Sequence, residues 1–158
     1  MRPLTLPRRS AVPEFTSRDE SGRRTGLQTY RARQRNLLLL LLHGAACAAC
    51  ARIAEELIDR RLEVEEWDSE ILVIRSGGEP FPTSISQALD SEAIAQNAYD
   101  PHSDAVIAVL DFRGRLMDGW SLRHPEPVDW REVTETVRWV ATQEPECGTC
   151  VIAPGWDE

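Results

Sequence analysis

The stretch Leu37-Leu38-Leu39-Leu40-Leu41-Leu42-His43-Gly44-Ala45-Ala46-Cys47-Ala48-Ala49-Cys50 decides how this chain is read. Six apolar residues before a glycine are too few for a useful helix. A run apolar at every position suits a central strand covered on both faces. Beyond Cys50, Ile53, Leu57, Ile58 and Leu62 recur at helical spacing, with Glu55, Glu56, Asp59, Arg60 and Arg61 mainly on the other face. The sequence therefore predicts a buried strand that delivers a C-x-x-C pair to the first turn of a helix, whose apolar pattern runs from about Ala51 to Leu62. Unpaired N–H groups and the positive end of the dipole gather at a helix start. Both favour thiolate over thiol, and the thiolate is the nucleophile. Two spacer residues let the second sulfur reach the first, so a mixed disulfide can resolve within the chain.

Upstream, Met1 to Ser10 is rich in Pro and Arg and reads as a disordered tail. Ala11 to Thr16 can start a strand, Ser17 to Gly26 reads as a turn or hairpin, and Leu27 to Arg35 as a connector. Downstream, Ile71–Ile74 and Ala105–Leu110 are apolar strands, with a weak helix over Ser91–Ala98 between them. Asp111-Phe112-Arg113-Gly114 is a hairpin turn with Gly where positive φ is needed, and Arg115–Trp120 returns antiparallel. Val128–Gln143 is the last helix, with Trp130, Val133, Val137 and Val140 as its buried stripe. Strand–helix alternation followed by a hairpin implies an α/β fold: a central mixed sheet with an antiparallel edge, flanked by helices.

The chain has 158 residues, enough for one domain with a proper core. Its net charge of −8 argues against nonspecific binding to nucleic acid or an anionic membrane. All 18 basic residues are Arg, which excludes Schiff-base lysine chemistry. Nine of them precede Asn36, a pattern read as a solvated segment or a docking patch for an acidic partner. The leucine run is far short of the roughly 20 residues that span a bilayer. Arg8-Arg9 lacks the apolar region of a secretory or twin-arginine signal. The expected location is the cytoplasm, where two C-x-x-C pairs favour redox work or metal over a structural disulfide framework.

At this point the chain resembles the thioredoxin-like redoxins, in particular the alkyl hydroperoxide reductase/thiol-specific antioxidant (peroxiredoxin-like) branch. The resemblance covers roughly residues 11–142. It rests on Ala11-Val12-Pro13-Glu14-Phe15, similar to that family's A-P-x-F opening, on Gly22, on Tyr30-Arg31, on the strand into Cys47-Ala48-Ala49-Cys50, and on Val109-Leu110-Asp111-Phe112-Arg113-Gly114-Arg115. It implies a thioredoxin-like domain over 11–143, flanked by the tail 1–10 and by a Cys-containing tail 144–158. The family's usual Trp before the first Cys, and Gly-Pro between the pair, are Ala46, Ala48 and Ala49 here. Ala105 stands where thioredoxins carry a cis-proline and many peroxiredoxins an activating Arg. Neither register of the Cys pair completes the peroxidatic P-x-x-x-T-x-x-C motif.

Cys47, nearer the helix start, is the expected nucleophile and Cys50 the resolving thiol. The bland alternative is a pair of small buried residues. His43 either tunes the thiolate or relays a proton, or is a hydrogen-bonded residue at a strand end. Cys147 and Cys150 are an auxiliary redox pair, an idle or regulatory pair, or half of a zinc site completed by Cys47 and Cys50. Trp67 and Trp120 are candidates to rim the Cys site, whereas Asp111 and Asp118 read as turn and surface residues. No cofactor is expected. The expected activity is thiol–disulfide exchange with a protein thiol, disulfide or reductant, without nucleic acid or membrane. The alternatives are a thiol-dependent peroxidase acting on peroxide, or a zinc-stabilised or degenerate redoxin serving as an interaction module.

Overall fold

The computed structural model describes residues 1–90 and 92–143, so Cys147, Cys150 and the segment 144–158 lie outside the described residues. In chain order the elements are β1 (Arg2–Pro3), β2 (Thr16–Asp19), β3 (Arg24–Gly26), α1 (Leu27–Arg33), β4 (Asn36–Leu42), α2 (Ala48–Glu66) and β5 (Ser69–Arg75). They continue with β6 (Ser86–Leu89), α3 (Ile94–Tyr99), β7 (Ala105–Leu110), β8 (Leu116–Leu122) and α4 (Trp130–Thr142). The strands form one mixed sheet in the order β1-β8-β7-β4-β5-β6-β2-β3. Strand β4 sits inside it, parallel to β5 and antiparallel to β7.

Alternation along β4 divides the leucines between two cores. Leu38, Leu40 and Leu42 point to the layer of α2 and α4, with Ile53, Leu57, Ile107, Val133 and Val137. Leu37, Leu39 and Leu41 point to the layer of α1 and α3, with Leu27, Tyr30, Ala95 and Tyr99. All six are at most 1% exposed, which is why no polar residue interrupts the run. The expected α/β architecture, a mixed sheet flanked by helices, is what the chain adopts.

Several local readings change. Residues 1–10 are not a disordered tail: Arg2 and Pro3 pair with Ser121 and Trp120, and Leu4 N–H donates to Gly119 O at 2.9 Å. Leu116 N–H donates to Ser10 O at 2.9 Å, and Leu4 and Leu6 pack on the second core. The free edge of β8 supplies the partners, and proline is tolerated on an edge strand. The 27–35 connector holds helix α1, which buries Leu27 and Tyr30. Strand β6 carries no apolar alternation and is held by pairing with β5 and β2. On α2 the buried stripe is Cys50, Ile53, Ala54, Leu57 and Val64, while Ile58 and Leu62 are 42% and 80% exposed. Val64 lies two turns past Leu57 on the same face, whereas Leu62 is turned about 140° away.

The Asp111 hairpin forms as expected. Its carboxylate accepts N–H bonds from Arg113 (3.0 Å) and Arg115 (2.8 Å), with Gly114 at φ +76°. Asp118 is an ion-pair partner of Arg8 at 2.6 Å, so both aspartates are structural. Among the described residues no helix is long and apolar enough to cross a membrane.

Removing the Leu40 side chain opens a cavity in the first core, so Leu40→Ala is expected to cost about 2–5 kcal/mol in urea unfolding. Leu62→Ala, on the exposed face of α2, is expected to change stability by less than about 0.5 kcal/mol. A large loss from Leu62→Ala would contradict the assigned helix phase.

Candidate active site

The leucine strand ends at Leu42, and the chain turns through His43, Gly44, Ala45 and Ala46 before α2 begins at Ala48. Gly44 makes the turn possible. Its φ is +149°, and a Cβ there would collide with the carbonyl oxygen of Gly77. That carbonyl belongs to the loop after β5, which continues alongside the turn in the parallel sense of β4 and β5. Gly77 N–H donates to His43 O at 3.0 Å, Ser76 N–H to Leu42 O at 2.9 Å, and Ala45 N–H to Glu79 O at 3.2 Å.

Cys47 is the N-cap of α2, with extended backbone, and its carbonyl accepts Ala51 N–H at 2.9 Å. Cys47 is half-buried, and Cys50, one turn on, is fully buried. An open groove of about 420 Å³ runs beside Cys47, lined by His43 and by the small residues Gly44, Ala46, Ser76, Gly77 and Gly78. The helix start thus carries one half-buried cysteine, Cys47, and one buried cysteine, Cys50, a turn further on.

Burial sets the protonation state of the inner thiol. Burial pushes the Cys50 thiol up to about 12; the backbone N–H groups of His43 and Gly44 oppose that, and the neighbouring Cys47 sulfur adds to it. The His43 N–H lies 3.4 Å from Cys50 Sγ. Desolvation outweighs the amides, so at neutral pH Cys50 carries its proton.

The sequence reading missed His124. Its Nε2 lies 3.2 Å from Cys50 Sγ, across 74 residues of chain. The backbone N–H of His124 donates to Asp104 Oδ2 at 3.0 Å, just ahead of β7. Arg52 on α2 donates to Pro125 O at 3.1 Å, tying the next residue to the Cys helix. The His124–Pro125 peptide is cis. Burial holds the His124 imidazole below the ordinary histidine range. Asp104 pulls it the other way, and His43 and Arg52 reinforce the lowering. The His43 ring meets the His124 ring edge to face, 5.5 Å between centroids. Its backbone is a hydrogen-bonded strand end, and its ring faces the dithiol cluster. No local pattern marks His124, which follows the strand β8 in a proline-flanked loop.

The tryptophans do not rim the site. Trp120 is 2% exposed within the first core. Trp67 closes the far end of α2, where the Arg138 guanidinium lies 5.1 Å from its ring centroid. Ala105, fully buried, pairs with Leu122 at the start of β7.

No protein-family model matches the chain, and no curated protein matches its sequence. Solved structures do match its fold. A Chlorobium tepidum protein described as a thiol:disulfide interchange protein, DsbE, superposes with a TM-score of 0.72 at 12% identity, covering 87% of this chain and 99% of that one. The mitochondrial 2-Cys peroxiredoxin of Plasmodium falciparum gives 0.68 at 14% identity, covering 85% and 94%. Peroxidoxin BcpB of Mycobacterium tuberculosis gives 0.69 at 14% identity, covering 88% and 99%. The structural neighbours are thioredoxin-like redoxins, and the fold of this chain is theirs.

Two measurements check this geometry. Brief alkylation of the reduced, folded protein is expected to label Cys47 and spare Cys50, with Cys50 labelled only after denaturation, as read by peptide mass spectrometry. Equal labelling of both would contradict the burial described. Gly44→Ala is expected to lower stability by about 1–3 kcal/mol, since the residue would sit in a strained conformation against Gly77. A neutral effect in denaturant unfolding would show that the turn can relax.

Proposed function

We propose that this chain is a thiol–disulfide oxidoreductase in which Cys47 attacks and Cys50 resolves. The observation that carries the reading is the division of labour within one turn of helix. A half-exposed sulfur sits at the N-cap beside a groove, and a fully buried, protonated sulfur sits behind it. The fold shared with redoxins supports the same class of chemistry.

Cys47 Sγ, as thiolate, attacks one sulfur of a partner disulfide. A Cys47–partner mixed disulfide forms, and the partner's other sulfur leaves as a thiolate that takes a proton from water. Cys50 then gives its proton to His124 Nε2, the basic nitrogen in the tautomer we assign, and attacks Cys47 Sγ. The mixed disulfide breaks, the partner sulfur that Cys47 had attacked leaves as a thiolate and is protonated, and a Cys47–Cys50 disulfide remains. Two electrons have passed to the partner, and an external dithiol returns them by the reverse exchange. The groove of small residues leaves room for an extended protein segment at Cys47, which fits a protein disulfide as the partner.

Cys47→Ser is expected to abolish reduction of a disulfide substrate. Cys50→Ser is expected to accumulate the mixed disulfide, visible as a mass adduct that reductant removes. His124→Ala is expected to slow resolution by about 100-fold, as general-base loss does, while first attack is unchanged. A protein inert toward disulfides that instead consumes peroxide in step with its thiols would replace this reading with the peroxidase.

A further inference from the structure

The Cys pair does not stand alone. One donor atom each from His43, Cys47, Cys50 and His124 lies within 4.8 Å of all the others. Two thiols and two imidazoles form a set that a tetrahedral, borderline-soft ion takes up. We propose that these four side chains form a zinc(II) site that closes on the reduced dithiol.

The distances suit that ion. Zinc bonds of about 2.3 Å to sulfur and about 2.0–2.1 Å to nitrogen set tetrahedral donor–donor separations of roughly 3.3–3.8 Å. Cys50 Sγ and His124 Nε2 stand 3.2 Å apart, close to that range. The other donor pairs lie within 4.8 Å of one another, so each has at most about 1.5 Å to close on ligation. The imidazoles meet edge to face beside the sulfurs and reach the cluster from two different segments. Nδ1 of His124 is buried and has no hydrogen-bond partner among the described residues.

Charge also balances. Zinc displaces two protons, one from each thiol, and two thiolates neutralise the dication. The backbone N–H of His43 already points at Cys50 Sγ and serves as an outer hydrogen bond to the ligated sulfur. Both histidines are held from outside the cluster. His43 sits on the turn anchored to Gly77, and His124 hangs from Asp104 and, through Pro125, from Arg52. The site differs from a four-cysteine arrangement in needing neither Cys147 nor Cys150. A bound ion holds both sulfurs as thiolates, so the metal and the Cys47–Cys50 disulfide exclude each other.

The proposal goes beyond the exchange activity and does not depend on it, because binding is read on the reduced protein with no disulfide substrate present. Cobalt(II) is titrated anaerobically into the full chain and then displaced by zinc(II). The expected result is about one ion per chain, with the visible bands of a tetrahedral site and a charge-transfer band of two-thiolate intensity. The double change Cys147→Ser/Cys150→Ser is expected to leave the spectrum and affinity unchanged. His124→Ala and His43→Ala are each expected to weaken binding at least about 10-fold, comparable to the loss of a supporting group around a metal ligand. Circular dichroism and the Cys47 alkylation pattern of the metal-free variants establish that they are folded. Full-strength binding by either histidine variant would overturn the proposal. So would four-thiolate intensity that disappears with Cys147 and Cys150, or a reduced wild-type protein that takes up no ion.

Discussion

Burial of β4 from both sides is the constraint on which the rest depends. Its six leucines need apolar cover above and below, and only a sheet with helices on both faces supplies it. Each buried leucine contributes about 1.5–3 kcal/mol, so this strand is a large share of what holds the two layers together. Its in-register pairing with β5 and β7 fixes where the strand stops. Since β4 stops at Leu42, the turn, the Cys pair and the start of α2 emerge at one end of the sheet, beside the loop after β5 and the loop after β8.

That placement creates a conflict that the site uses. Cys50 belongs to the buried stripe of α2 and packs as a core residue, yet it carries a reactive sulfur. Desolvation raises its pKa more than two amide N–H groups can lower it, so it is stored as a thiol. Cys47, three residues earlier and at the helix cap, faces the groove instead. The same helix thus holds one sulfur beside the groove and the other in the core. In the proposed exchange, the histidine ring 3.2 Å from Cys50 Sγ is the base that a buried thiol otherwise lacks.

The turn is held as firmly as the helix. Three backbone hydrogen bonds link residues 42–45 to the loop after β5, and Gly44 allows the two chains to approach without a Cβ between them. Across the site, Asp104 and Arg52 hold the loop carrying His124, and Glu56 on α2 accepts Trp130 Nε1–H from α4 at 2.7 Å. These contacts fix the segments that carry His43, Cys47, Cys50 and His124 relative to one another.

The sequence by itself determined what is local. Uninterrupted leucine meant a doubly covered strand, the glycine and the C-x-x-C spacing meant thiols at a helix start, and Asp111 with Gly114 meant a hairpin. Each rests on a periodicity or a conformational preference carried within a few neighbouring residues. Only the tertiary structure decided what comes from pairing. The N-terminal residues are ordered because β8 has a free edge, and β6 is a strand because β5 and β2 flank it. Leu62 is exposed because the phase of α2 is set by contact with the sheet. His124 joins the thiols because β7 and β8 return the chain to the end of β4, bringing together residues 74 positions apart. A short segment encodes its own backbone shape, but the neighbour it meets across the fold is chosen by the packing of the whole chain.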